Sequence, residues 1–121
     1  MVDSSIFADL SKVNGYMGAV VSDYTGEILV QDGTKVKGIE ELSMHFNESF
    51  RDIHDTTEKV GVGMTKTMEV VADAGTIIMT CSGKNQRVHL HAFVVLEKGA
   101  SVGLAKMTLE KVIEKATLGM S

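Results

Sequence analysis

The chain has 121 residues, enough for one well-buried core and too few for two, so a single domain over 1–121 is expected. With 44% hydrophobic and 23% charged residues the composition is globular, because a disordered chain would be poorer in apolar residues and more highly charged. A net charge of -4 without any basic run argues against nucleic acid as the main partner.

No stretch approaches the roughly 18 apolar residues of a membrane span. Met1-Val2-Asp3-Ser4-Ser5 has neither the cationic nor the apolar part of a secretion signal, and a cytoplasmic protein is expected. The one cysteine, Cys81, cannot form an internal disulfide and reads as a small buried apolar residue.

Ile6, Phe7, Leu10 and Val13 follow the capping residues Asp3-Ser4-Ser5 and predict a short helix that stops at Asn14-Gly15. Tyr16 to Ser22 and Glu27 to Gln31 predict a hairpin over Asp23-Tyr24-Thr25-Gly26, four residues suited to a chain reversal. After Gly33 and Gly38, the residues Ile39, Leu42, Phe46, Phe50 and Ile53 fall in an arc of about 80° and predict a long helix with a narrow core-facing stripe. Extended to Val60, that helix is roughly 30 Å long and can overhang the sheet onto a partner.

Gly61-Val62-Gly63 ends the helix, and strands are predicted at Thr65 to Ala72, Thr76 to Ser82 and Arg87 to Leu96, with a turn around Gly83-Lys84-Asn85. Ala92-Phe93-Val94-Val95-Leu96 and Met17 to Val21 are apolar on both alternating faces, which predicts central strands covered on both sides. Thr65 to Ala72, with Thr67 and Glu69, reads as an edge. A last helix is capped by Ser101 and turns Val102, Ala105, Leu109, Val112, Ile113 and Ala116 to the core in an arc of about 100°. Covering the apolar strands on both faces requires a three-layer α/β/α sandwich around an antiparallel sheet.

His89 and His91 are two apart on a strand and point to the same side, a spacing that can begin a zinc site. Cys81 joins them or faces away according to the hairpin register, and no acidic fourth ligand is evident. A pair of sheet histidines without metal is the simpler reading, and neither a metal nor a cofactor is expected. His45 and His54 lie on nearly opposite sides of the long helix and are expected at the surface. Gly61-Val62-Gly63 follows a helix instead of a strand and has Lys66 in the third glycine position, so it is a helix stop and not a dinucleotide fingerprint. No catalytic constellation emerges.

Three segments carry a family likeness: Gly18-Ala19-Val20-Val21-Ser22-Asp23-Tyr24-Thr25-Gly26-Glu27-Ile28-Leu29, the strand ending Val94-Val95-Leu96, and Gly99-Ala100-Ser101-Val102-Gly103-Leu104-Ala105-Lys106-Met107. Together with the order of elements from about Ile6 to Thr117, they resemble the roadblock family, the dynein light chain roadblock type of domain with a longin-like or profilin-like sheet. The resemblance implies a five-stranded sheet in the order 2-1-5-4-3, dimers joined through the third strand and the second helix, and no enzymatic activity. It also implies a role as adaptor or as regulator of small Ras-like GTPases.

Independently, the third strand's edge around Met68, Val70 and Ala72 lacks proline, has few charges and invites pairing with a second copy. Most of the eight methionines suit core packing. Met44, Leu104 and Met107 fall outside the apolar arcs and are the other candidates for contact with a partner. Three readings follow: a non-catalytic homodimer that modulates a GTPase, an adaptor that recruits partners without affecting nucleotide turnover, and a small-molecule sensor. The last has no obvious polar anchor for a ligand.

Overall fold

The computed structural model describes residues 2–83 and 88–120. Five antiparallel strands form one sheet: β1 (Tyr16–Asp23), β2 (Ile28–Asp32), β3 (Thr67–Ala72), β4 (Gly75–Cys81) and β5 (Leu90–Glu97). Their order is β2-β1-β5-β4-β3. Helix α1 (Ile39–Lys59) covers one face, and α2 (Val102–Met120) covers the other together with 3-10 turns at Ser4–Phe7 and Leu10–Lys12. This is the three-layer α/β/α sandwich that the strand patterns require.

The centre of the sheet follows from apolar residues on both sides of β5 and β1. Leu90, Ala92, Val94 and Leu96 of β5 join Ala19 and Val21 of β1 beneath Ala105, Leu109, Val112 and Ile113 of α2. Phe93 and Val20 point the other way and pack under Ile39 and Phe50 of α1. The register sets Val20 against Phe93 and Val21 against Ala92 across β1 and β5, and Met79 against Phe93 across β4 and β5. Burying Phe93 on one face and Val94 on the other leaves no solvent side, which fixes β5 in the middle.

The β1–β2 turn is held by Asp23, whose Oδ1 accepts hydrogen bonds from the backbone N–H groups of Thr25 at 2.9 Å and Glu27 at 3.0 Å. Gly26 completes it at φ +102°, a region that side chains disfavour. Helix α1 begins with Glu40 and Glu41, whose charges suit the positive end of the helix dipole. It ends where Gly61 turns left-handed at φ +86° and the Val62 N–H returns to the Thr57 carbonyl at 3.0 Å.

Two expectations are corrected. The N-terminal segment forms 3-10 turns instead of a helix continuing to Val13. Its buried residues Phe7, Leu10 and Val13 recur every third position, the repeat of a 3-10 turn and not of an α-helix. On α1, the buried line is Ile39, Ser43, Asn47 and Phe50, so the helix is rolled relative to its apolar stripe and Ile53 is 41% exposed. The turn at Gly83-Lys84-Asn85 and the strand start at Arg87 lie, beyond Gly83, outside the described residues. No described helix is long and apolar enough to cross a membrane.

At the far end of β1 the Tyr16 hydroxyl donates to Asp32 Oδ2 at 2.6 Å. This bond, followed by the hydroxyl of Thr34, holds the Asp32 carboxyl below the usual carboxylate range. A depressed folded pKa stabilises the protein above the unfolded value and ceases to do so as pH falls through the folded one. Tyr16→Phe is therefore expected to lose about 1 kcal/mol at neutral pH, a charge-assisted bond discounted for solvent exposure. The gap to wild type in urea unfolding should close as pH falls below the carboxylate range, and a gap that persists there would contradict the assignment.

Candidate functional site

Strand β3 pairs with β4 along one edge, with Met68 opposite Met79 and Val70 opposite Ile77. Among the described residues no strand lies along its other edge. Met68 sits in the α1-side core cluster with Met79, so Met68, Val70 and Ala72 all point to the α1 side by the two-residue repeat of a strand. Met68 is half-buried, Val70 is 40% exposed and Ala72 is exposed.

The roll of α1 brings further apolar residues to this border. One flank of the helix faces β2, where Gln31 Nε2 donates to Glu40 Oε1 at 2.9 Å. It also faces the β1–β2 turn, where the Arg51 guanidinium lies 5.7 Å from the centre of the Tyr24 ring. At about 100° per residue, Leu42, Phe46 and Ile53 occupy the other flank, over β4 and β3. Leu42 and Phe46 are half-buried, and Phe46 reaches the Phe93 ring at 6.2 Å. Helix flank and strand edge together form one partly uncovered apolar strip.

The proposed contact residues divide among three places. Met68, Val70 and Ala72 share this strip. Met44, 52% exposed, stands one turn beyond Glu40 on the β2 flank. Leu104 and Met107 project from the solvent side of α2, in line with exposed Leu118. Periodicity assigns Leu42, Phe46 and Ile53 alike to the core; Leu42 and Phe46 do pack against it while staying partly open, and only Ile53 is exposed. The cue in the sequence is that Ser43 and Asn47, polar and four apart, form a parallel line on the same helix.

That polar line has a structural purpose. Asn47 Nδ2 donates to the Tyr24 carbonyl at 3.2 Å, and its Oδ1 lies 2.6 Å from His91 Nδ1. Asn47 and His91 are both 2% exposed, so the carbonyl of the amide fixes the hydrogen on Nδ1 and leaves the lone pair of His91 on Nε2. His91 packs edge-on to His89 and against Phe50, and His89 stacks on Tyr24 with ring centres 5.2 Å apart.

The register settles the position of Cys81. It lies directly opposite His91, so its side chain shares the α1-facing side with both histidines, and Sγ is 2.9 Å from His89 Nε2. His54, expected at the surface, is instead half-buried beside them. Its Nδ1 accepts from the Thr65 N–H at 3.2 Å, and its Nε2 is 3.2 Å from Glu58 Oε1. A cleft of about 240 Å³ opens among Tyr24, Phe50, His54, Cys81, His89 and His91.

Burial governs the charge state here. It pushes the Cys81 thiol up, lowers His89 and brings His91 down to about 4. The pair Cys81–His89 is thus a neutral thiol beside a neutral imidazole, unlike the thiolate–imidazolium of a cysteine nucleophile. What the arrangement offers is two ring nitrogens and a sulfur within 4.8 Å of one another, a set with the right chemistry for a transition metal.

The fold has close parallels among solved structures. The roadblock/LC7 domain from Streptomyces avermitilis superposes with TM-score 0.81 at 11% identity, over 95% of this chain and 94% of its own. MglB of Myxococcus xanthus does so with TM-score 0.80 at 15% identity, over 97% and 95%. An MglB in a tetrameric arrangement gives 0.75 at 14% identity, over 93% and 88%. No family model matches the sequence, and no curated protein matches it. At these identities the likeness is one of fold, and the fold is that of roadblock domains.

Replacing Asn47 by leucine keeps the branched four-heavy-atom outline of the side chain while stranding the His91 Nδ1–H in the core. Asn47→Leu is expected to cost about 1–3 kcal/mol, read as a lower urea midpoint at unchanged m-value. Unaltered stability would mean that the amide does not anchor α1.

Proposed function

We propose that the chain is a single roadblock-family module that forms a homodimer and, as a dimer, binds a small Ras-like GTPase and modulates its nucleotide hydrolysis. The observation that carries the reading is the border of β3, unpaired among the described residues, beside the apolar flank of α1. A symmetric partner supplies the missing strand and covers Leu42, Phe46, Ile53 and Val70 at once, because a two-fold contact presents the same patch twice. An assembly between copies is also in keeping with the MglB of like fold in a tetrameric arrangement.

The GTPase partner rests on the family resemblance of the sequence and on the shared fold. Regulation would be allosteric. A dimer would act by favouring one arrangement of the switch loops, contributing shape and not a chemical group. The solvent side of α2, with Leu104, Met107 and Leu118 exposed, favours a second reading: an adaptor that holds another partner there and leaves turnover unchanged.

The double variant Ile53→Lys with Val70→Lys is expected to convert a dimer to a folded monomer by light scattering, since both side chains are surface-exposed in one copy. Each single change should weaken the dimer. A dimer of unaltered mass would contradict pairing through β3. GTP hydrolysis by a cognate GTPase, measured with and without the wild-type protein, separates regulator from adaptor. A changed rate supports the first, and binding without a change supports the second.

A further inference from the structure

We propose that Cys81, His89 and His91 form a binding site for a thiolate- and imidazole-seeking d10 cation, Zn2+, with three protein ligands and a fourth position open to the cleft. The three ligand atoms lie within 4.8 Å of one another. Zinc bonds of about 2.3 Å to sulfur and 2.0–2.1 Å to nitrogen place ligands of a tetrahedron roughly 3–4 Å apart. The site therefore needs only small rotamer shifts, with Cys81 Sγ and His89 Nε2 moving apart from 2.9 Å and the third ligand closing in.

Three features point to a metal site rather than a chance meeting of side chains. Cys81 and His91 stand directly opposite each other on β4 and β5, and His89, one residue before β5, is tied to the β1–β2 turn by the Tyr24 N–H donating to its carbonyl at 3.2 Å, so backbone hydrogen bonding fixes the place of all three. His91 carries the outer-sphere partner of a metal-bound imidazole: its Nδ1–H is held by Asn47 Oδ1 at 2.6 Å, which aims the Nε2 lone pair away from that amide. The ligand set also borders an accessible cleft of about 240 Å³, which gives an entry path and space for a bound water.

The choice of cation follows from the donors. One sulfur and two imidazole nitrogens favour zinc over magnesium or calcium, which take oxygen ligands. His54 is engaged through both ring nitrogens by Thr65 and Glu58, so it frames the cleft and is not counted as a ligand. On binding, the Cys81 S–H bond breaks as the zinc–sulfur bond forms, and the proton passes to solvent. The histidines bind in their neutral form and release none.

The test uses full-length protein without a histidine tag, stripped with chelator and titrated with Zn2+ against a chromophoric competitor, then with Co2+ as a spectroscopic probe. One zinc per chain is expected, with a thiolate-to-cobalt charge-transfer band in the near ultraviolet. Cys81→Ser should abolish that band, and both Cys81→Ser and His89→Gln should remove stoichiometric binding. Asn47→Ser should keep the band and weaken zinc by about 10–100-fold. Circular dichroism of the metal-free proteins checks folding, and His89→Gln, at a half-buried position, carries the test should Cys81→Ser not fold. Absence of stoichiometric zinc in the wild type, or zinc affinity at the wild-type level in folded Cys81→Ser or His89→Gln, would overturn the proposal.

Discussion

Backbone N–H and C=O groups along the outer side of β3 have no strand partner among the described residues and are left to water, a border open to pairing. A strand of six residues without proline, carrying Glu69 as its one charge, has few of the features by which natural edges discourage pairing. The opposite edge is managed differently. Strand β2 has five residues, and the β1–β2 ladder is broken by a register shift between Val21 and Ser22, which twists a ladder and shortens the straight edge. The asymmetry between the two borders gives the sheet one side suited to extension.

Helix α1 connects that border to the histidine cluster. Its roll places Asn47 over the sheet, where one amide holds both the Tyr24 carbonyl and His91. The same rotation lifts Leu42, Phe46 and Ile53 toward β3, so a polar anchor on one flank exposes apolar surface on the other. Buried polar groups of this kind are costly when unpaired and specifying when satisfied. Here full satisfaction of Asn47 and His91 ties the orientation of α1 to the geometry of the Cys81, His89 and His91 group.

Much of the fold is legible in the sequence because the decisive residues have a single solution. Phe93 and Val94 are adjacent, large and apolar, so β5 has to be covered on both faces, and the turn at Asp23 to Gly26 announces the hairpin. The α2 stripe from Val102 to Ala116 predicts its buried face because its polar residues are all outside the arc. On α1 the same rule misplaces Ile53, since hydrophobic periodicity cannot register the pull of a buried amide–imidazole bond. Phe7, Leu10 and Val13 carry a three-residue repeat that a helical template absorbs too readily.

The cluster was legible only in part. The spacing of His89 and His91 places them on one side of a strand, whereas the position of Cys81 depends on a hairpin register that the residues between Ser82 and Val88 do not dictate. His54 is eleven residues from Thr65 in sequence, and only the tertiary fold brings its ring to that backbone amide. The three groups of candidate contact residues, by contrast, rest on helical phase and strand-edge composition, which are local quantities.

Hydrogen exchange of the β3 backbone amides as a function of protein concentration tests the central claim most directly. The account predicts that alternate amides within 67–72, those facing away from β4, gain protection as the protein passes from monomer to dimer, while the β5 amides are protected throughout. A dimer in which those outward amides exchange as fast as in the monomer would contradict it.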